Sequence, residues 1–304
     1  MTKRLLLLLG IFLTILVGTY FSWKFCCPHD SQENQSTIIT ESPKQHYQPA
    51  TTYPFSVKDK TGNFSLTTSD NFNFENSAYT FLSPVTSSLD VEIEKLKNHL
   101  ASNSNKALSI TGFYTESEEN TSAYPNLGFA RAISVKNYLN SKGIPSKIIN
   151  TSGEVKETMI PDSLNVFYGP VNFSVLAFKD NSEELQKLGN FIKENPLVLY
   201  FKTGETNINL TAKERQEFAD IANYLDKVEG ATCVVTGHTD NTGDSSANMA
   251  IGQERANSAK RYLVQNGIPE DKITALSKGQ EEPIADNTTE EGKAKNRRTV
   301  ITIK

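Results

Sequence analysis

The stretch Thr236-Gly237-His238-Thr239-Asp240-Asn241-Thr242-Gly243 decides the fold of this chain. It continues a strand-like run over 232–236, and it precedes a helix that the apolar spacing predicts for 248–265. Asp240 therefore lies just past the end of a strand, and Arg255 lies in the first two turns of the following helix. The sequence places an anion and a cation on neighbouring elements.

The chain contains this arrangement twice. Glu116 and Arg131 are separated by the same fifteen residues as Asp240 and Arg255. An offset of 124 aligns residues 115–145 with residues 239–269, and thirteen of these thirty-one positions are identical, where chance would give about two. We interpret the pattern as an internal duplication.

The second copy predicts the element order β-α-β-α-β-β. Its capping box Thr211-Ala212-Lys213-Glu214 opens a helix whose apolar residues recur every three or four positions. Its second helix is expected to end at Gly267 and Pro269. The predicted strands are 197–201, 232–236, 273–277 and 298–303.

The first copy repeats this order, with an opening strand predicted for 72–81 and a last strand for 171–178. The fold class is therefore α/β, an α+β sandwich with two tandem β-α-β-α-β-β domains. The predicted organisation is an N-terminal transmembrane anchor over 1–27, a flexible linker over 28–60, a first domain over 61–180, a connecting helix in 181–194 and a second domain over 195–304.

The N-terminus predicts a single membrane anchor. Lys3 and Arg4 precede nineteen uncharged residues, 5–23, which is long enough for a helix to cross the hydrocarbon core of a bilayer. No small-residue cleavage site is found, and Cys26 lacks the residues that precede a lipoprotein cysteine. The basic start keeps the N-terminus in the cytoplasm and sends the rest of the chain across the membrane.

The Asp240 and Arg255 pair predicts a binding site for a zwitterion. An arginine near a helix N-terminus is unusual, because that end already carries partial positive charge and favours an anion. A ligand carboxylate on Arg255 and a ligand ammonium on Asp240 would satisfy both residues, and the free end of an amino acid has this chemistry. From spacing alone, a direct salt bridge between the two residues is an equal alternative.

These motifs resemble the OmpA-like peptidoglycan-binding domain. The resemblance rests on 236–243, on 248–256, on Gly267-Ile268-Pro269 and on 296–300, in that order, and it covers residues 196–304. It implies that Asp240 binds the ammonium and Arg255 the carboxylate of diaminopimelate in the peptidoglycan stem peptide. It also implies that Asn248 contacts the peptide. Supporting roles fall to Thr239, Asn241, Gly243, Ile251 and Arg298, where Ile251 replaces a usual leucine.

The first copy departs further from this family. Glu116 adds a methylene relative to Asp240, Tyr124 stands where Asn248 does, and the last strand lacks the arginine pair. We expect this copy to keep the fold, with Glu116 and Arg131 as a degenerate counterpart that does not bind diaminopimelate.

Composition and motifs limit the other function classes. The formal charge of −4 and the lack of a basic patch argue against nucleic-acid binding. No nucleophile motif supports an enzyme, and His238 with Asp240 has no further ligand for a metal, so neither a metal nor another cofactor is expected.

The sequence thus predicts a non-enzymatic protein of the Gram-negative cell envelope that faces the periplasm and binds peptidoglycan. An inner-membrane anchor is favoured, with outer-membrane association as the alternative. A scaffold or stator-like role with a protein partner, or a homodimer, stays open. A type II membrane glycoprotein is a weaker alternative, based on the Asn-x-Ser/Thr triplets at Asn34, Asn63, Asn120, Asn150, Asn172, Asn209 and Asn287.

Overall fold

The computed structural model describes residues 15–17, 19–20 and 49–304. The chain divides into two compact units, 1–47 and 48–304. Most of the predicted anchor, 1–27, lies outside the described residues, and the part that is described, 15–17 and 19–20, is helical. Among all the described residues, none forms a helix with the length and apolar character that crossing a membrane requires.

The second repeat (residues 197–303) is a two-layer domain with a four-stranded sheet. Its strands are β8 (Leu197–Tyr200), β9 (Cys233–His238), β10 (Ile273–Gly279) and β11 (Arg298–Ile303), in the sheet order β10-β9-β11-β8. β9 and β10 are parallel, whereas β11 runs antiparallel to both β9 and β8. The predicted strands are confirmed, with β9 and β10 each extending two residues further.

Two long helices, α4 (Ala212–Lys227) and α5 (Ser245–Gln265), cover this sheet. The predicted capping box is present, since Thr211 and Glu214 each accept a hydrogen bond from the backbone of the other. Asp244 caps α5 by accepting from the first backbone N–H groups. A short helix, α6 (Glu290–Asn296), precedes β11 and was not among the predicted elements.

The first repeat (residues 49–177) has a five-stranded sheet with a different edge. Its strands are β1 (Phe55–Asp59), β2 (Ser65–Thr68), β4 (Lys106–Tyr114), β5 (Ile149–Val155) and β7 (Val171–Ala177), in the order β2-β1-β7-β4-β5. Its helices are α1 (Ser87–Ser102) and α2 (Leu127–Ser141), and α3 (Ser182–Glu194) connects the repeats. Unlike β8 in the second repeat, β1 runs parallel to its neighbour β7.

The opening strand predicted for 72–81 is wrong. Only β3 (Phe74–Glu75) forms there, and it pairs with β6 (Val166–Phe167) in a separate two-stranded sheet. β1 takes the place beside β7 because its alternating pattern fully buries Phe55 and Val57 against the core. The linker predicted for 28–60 therefore ends too late: 28–48 lies outside the described residues, but 55–59 is a strand.

The first repeat has a hydrophobic core of its own, and a few of its residues also join the core of the second repeat. Tyr124 and Ile133 of the first repeat lie in the same buried cluster as Phe218 and Leu263 of the second. The Tyr124 hydroxyl donates to the backbone oxygen of Asn266 at 2.7 Å, and an ion pair of 2.8 Å links Lys136 and Asp226. The tandem repeats are therefore packed against each other within one compact unit.

Candidate functional site

Asp240 lies two residues past the end of β9, as predicted, and is itself buried, whereas the loop residues 241–247 that follow it are exposed. Its Oδ1 accepts from the backbone N–H of Thr242 at 2.9 Å, which closes a local turn. Its Oδ2 forms an ion pair of 2.7 Å with Nη1 of Arg297. Burial alone would raise the pKa of Asp240, but the hydrogen bonds from Arg297 and Thr242 outweigh it and hold the pKa below 3.8.

Arg255 is almost fully enclosed, with 1% of the residue exposed. Its guanidinium lies against the ring of Phe201, with Cζ 5.2 Å from the ring centroid. It donates to three backbone carbonyls: Lys202 at 3.3 Å, Glu205 at 3.2 Å and His238 at 3.0 Å. Burial and the nearby charge of Arg297 lower the pKa of Arg255, while Asp240 opposes this shift.

The close approach of α5 to β9 sets the position of Arg255. Gly237 on the strand faces Gly252 on the helix, and a Cβ added to Gly237 would lie 1.8 Å from the Gly252 carbonyl oxygen. Only two glycines allow backbones to pack at this distance. Arg255 follows Gly252 by three residues, so the same contact brings its side chain beside the C-terminal end of β9.

A direct salt bridge between Asp240 and Arg255 is absent from the ion pairs of the described residues. The ionic partner of Asp240 is Arg297, which lies in the motif at 296–300 but was not among the predicted site residues. Arg297 also donates to the backbone oxygen of Phe201 at 3.2 Å, the residue on which Arg255 stacks. One carboxylate and two guanidinium groups thus form a cluster with a net charge of +1.

Asn248 and Arg298 lie near the site, where their side chains form hydrogen bonds with the surrounding loops. Asn248 is buried, and its Nδ2 donates to the Thr242 oxygen at 3.2 Å and to Gln280 Oε1 at 2.6 Å. Arg298 donates to the backbone oxygens of Asn296 and Glu282, at 3.4 and 3.1 Å. In this structure both side chains stabilise the loops around Asp240.

The other predicted supporting residues are placed differently from one another. Thr239 is buried, its N–H donates to the Gly279 oxygen at 2.8 Å, and its Oγ1 has no hydrogen-bond partner among the described residues. Asn241 and Gly243 are exposed in the loop, and Ile251 is 38% exposed on α5. Thr239 is therefore the one of these four with an unsatisfied polar group inside the site.

The first repeat does not bring Glu116 to Arg131. Glu116 is exposed, whereas Arg131 is fully buried and forms an ion pair of 2.5 Å with Glu118. The prediction of Glu116 as the acidic counterpart is corrected to Glu118. The fifteen-residue spacing could not reveal this, because the loop before α2 takes a different path from the loop before α5.

Comparison with known proteins places the chain in a family. The family model described as the OmpA family matches residues 73–163 and 200–297. The chain belongs to the OmpA family. The two matched segments correspond to the two repeats, so each repeat is an OmpA-like domain.

Individual relatives within the OmpA family cover different shares of the chain. The peptidoglycan-associated lipoprotein of Buchnera aphidicola subsp. Baizongia pistaciae is 31% identical over 166 residues, which is 55% of this chain and 84% of that protein. The peptidoglycan-binding protein ArfA of Mycobacterium tuberculosis is 32% identical over 120 residues, which is 40% of this chain but only 36% of that protein. A crystal structure of the peptidoglycan-associated lipoprotein from Burkholderia pseudomallei is 29% identical, covering 35% of this chain and 89% of that one, with a TM-score of 0.31.

Proposed function

We propose that the second OmpA-like domain binds peptidoglycan non-covalently, through the zwitterionic end of diaminopimelate in the stem peptide. The observation that carries this proposal is the cluster of the buried Asp240 and Arg255 with the half-buried Arg297 at the end of β9. Two relatives, named a peptidoglycan-associated lipoprotein and a peptidoglycan-binding protein, support the same polymer as the ligand.

The cluster retains capacity for a ligand on both charges. Three N–H groups of Arg255 are bound by carbonyls, and its remaining N–H groups have no acceptor among the described residues. These groups suit a carboxylate, which Arg binds through a fork of parallel hydrogen bonds. Oδ2 of Asp240 accepts a hydrogen bond from Arg297 and keeps a lone pair for a ligand ammonium.

Affinity at one site is expected to be modest. A hydrogen bond to a charged group contributes about 1.5–3 kcal/mol, and the proposed complex has two such contacts. Many stem peptides on one polymer would raise the overall affinity by avidity. Together with the predicted anchor at 1–27, this binding would tether a membrane of the cell envelope to the cell wall. The role requires no catalysis, and we propose that the protein is not an enzyme.

Co-sedimentation with purified diaminopimelate-type sacculi tests the proposal. Asp240→Asn keeps the shape of the side chain but removes its charge, so we expect a loss of binding of roughly 10- to 160-fold, the equivalent of about 1.5–3 kcal/mol. Asp271→Asn is the matched control, since Asp271 is exposed at the opposite end of the parallel strands and changes the net charge equally. Equal binding by Asp240→Asn and wild type would refute the assignment.

Arg255→Ala is a less specific test than Asp240→Asn. It would remove three hydrogen bonds to backbone carbonyls and the contact with Phe201, so the loops around the site would lose stability as well as the ligand contact. Binding by this variant must be read together with its melting temperature.

A further inference from the structure

The duplication extends to the environment of the buried arginine. Arg131 donates to three backbone carbonyls, those of Glu75 at 3.4 Å, Ala78 at 3.0 Å and Phe113 at 2.9 Å. Its Cζ lies 5.2 Å from the centroid of the Phe74 ring. Each of these four contacts has a counterpart around Arg255, in the same order along the chain.

The counterparts are Lys202 for Glu75, Glu205 for Ala78, His238 for Phe113 and Phe201 for Phe74. Three of these pairs share an offset of 127, and the stacking distance of 5.2 Å is the same in both repeats. The contacts of the two arginines correspond although β3 lies in a separate two-stranded sheet, whereas β8 belongs to the main sheet of its repeat. The two arginines therefore have equivalent surroundings in the two repeats.

The Glu118 carboxylate distinguishes the surroundings of Arg131 from those of Arg255. In the first repeat the Glu118 carboxylate binds the guanidinium through both oxygens, with Oε1 at 2.5 Å from Nη2 and Oε2 at 3.2 Å from Nη1. The same carboxylate accepts backbone N–H groups from Ser77 and Thr115, each at 3.0 Å. Both charged side chains are 0% exposed. No side chain takes this position on Arg255 among the described residues.

We propose that Glu118 is an internal ligand. Its carboxylate binds Arg131 in the first repeat at the position where a ligand carboxylate binds Arg255 in the second repeat. The comparison with the second repeat rests on the proposed function, whereas the binding of the Glu118 carboxylate to Arg131 does not. The first repeat is thus a carboxylate-binding site closed by its own chain. It does not contribute a second peptidoglycan contact, and it leaves that role to Arg255.

The contacts of Glu118 also identify a further hydrogen-bond donor beside Arg255 in the second repeat. Ser77, which donates its N–H to Glu118, follows Glu75 by two residues and has a φ of 61°. Gly204 follows Lys202 by two residues and has a φ of 73°, and its N–H has no acceptor among the described residues. The Gly204 N–H and Arg255 would therefore both donate hydrogen bonds to the ligand carboxylate.

Chemical rescue tests the internal ligand in the whole chain. Glu118→Ala removes a fragment with the size and charge of acetate, and leaves Arg131 buried without its counter-ion. We expect this variant to melt below wild type, and we expect acetate to raise its melting temperature by several degrees more than acetamide or chloride does, because only acetate restores the anion. Glu116→Ala is the matched control, since Glu116 is exposed in the same loop, and acetate should affect it as it affects wild type.

If the variant folds, two outcomes would overturn the proposal. One is an equal effect of acetate on Glu118→Ala and Glu116→Ala, which would show a general salt effect. The other is an absence of any acetate effect on Glu118→Ala. If Glu118→Ala does not fold in chloride buffer, recovery of folded protein from refolding in acetate supports the proposal, and equal failure in both buffers contradicts it. Sacculus binding is not measured here, so a negative result leaves the proposed function of the second repeat intact.

Discussion

Gly237→Ala should displace the arginine-bearing helix α5 from the sheet. The new Cβ would lie 1.8 Å from the Gly252 oxygen, while real Cβ contacts essentially never fall below 3.0 Å, so the backbones must separate by at least 1.2 Å (3.0 − 1.8). The hydrogen bond from Arg255 to the His238 oxygen is 3.0 Å long and would be lost if the side chain followed its helix. Overpacking of this kind costs about 1–3 kcal/mol, which lowers the melting temperature of a chain of this size by roughly 2–12 °C.

Thermal unfolding followed by circular dichroism, together with sacculus co-sedimentation, measures both effects. Gly112→Ala is the matched control, because its Cβ would lie 2.0 Å from the Gly128 oxygen at the equivalent contact of the first repeat. Both variants should melt below wild type, but only Gly237→Ala should lose sacculus binding at a temperature where both remain folded. Wild-type stability and binding in Gly237→Ala would refute the reasoning that the glycine contact positions Arg255.

Three further predictions follow from single contacts. Because the folded pKa of Asp240 lies below its ordinary 3.8, the contribution of its ion pair with Arg297 is complete above that value and is lost as the pH falls through the folded pKa. Sacculus binding should therefore be constant between about pH 7 and 5 and decline below about pH 4; a decline centred near neutral pH would contradict this. Tyr124→Phe should reduce the free energy of unfolding by about 0.5–1.5 kcal/mol, since it removes the hydrogen bond to Asn266 between the repeats, and urea titration would reveal an unchanged midpoint if that bond is unimportant. Burial raises the pKa of the Cys233 thiol to about 12, so mass mapping should find its peptide unmodified by a maleimide until the protein is unfolded; labelling in the native state would show that β9 opens.

The sequence predicted the second repeat well because its local signals agree with one another. The capping box at 211–214, the apolar spacing of α4 and α5, and the Gly-x-Pro stop each specify one boundary independently of tertiary contacts. The first repeat was harder to predict because the strand beside β7 is supplied by 55–59, which follows a polar, proline-containing segment. Pairing of β1 with β7 joins residues more than 110 positions apart, and no local pattern encodes that choice.

The ionic partners in the two sites were also beyond local patterns. Arg297 meets Asp240 only because β11 pairs with β9, and this strand register is a tertiary property. Glu118 aligns with the uncharged Thr242, so the duplication itself directed attention to Glu116. The spacing of fifteen residues identified both arginines, because each is positioned by a glycine contact within its own strand-helix unit. The predicted place of Arg255 in the first two turns of its helix is wrong, since α5 begins at Ser245 and Arg255 is its eleventh residue.

The central claim is that Asp240 and Arg255 bind the two charges of one amino-acid end. A crystal structure of the chain with a diaminopimelate-containing stem peptide tests it most directly. We predict the ligand ammonium within hydrogen-bonding distance of Asp240, and the ligand carboxylate on Arg255 and the Gly204 N–H. A peptide bound elsewhere on the protein, with the ligand charges remote from both side chains, would contradict the account.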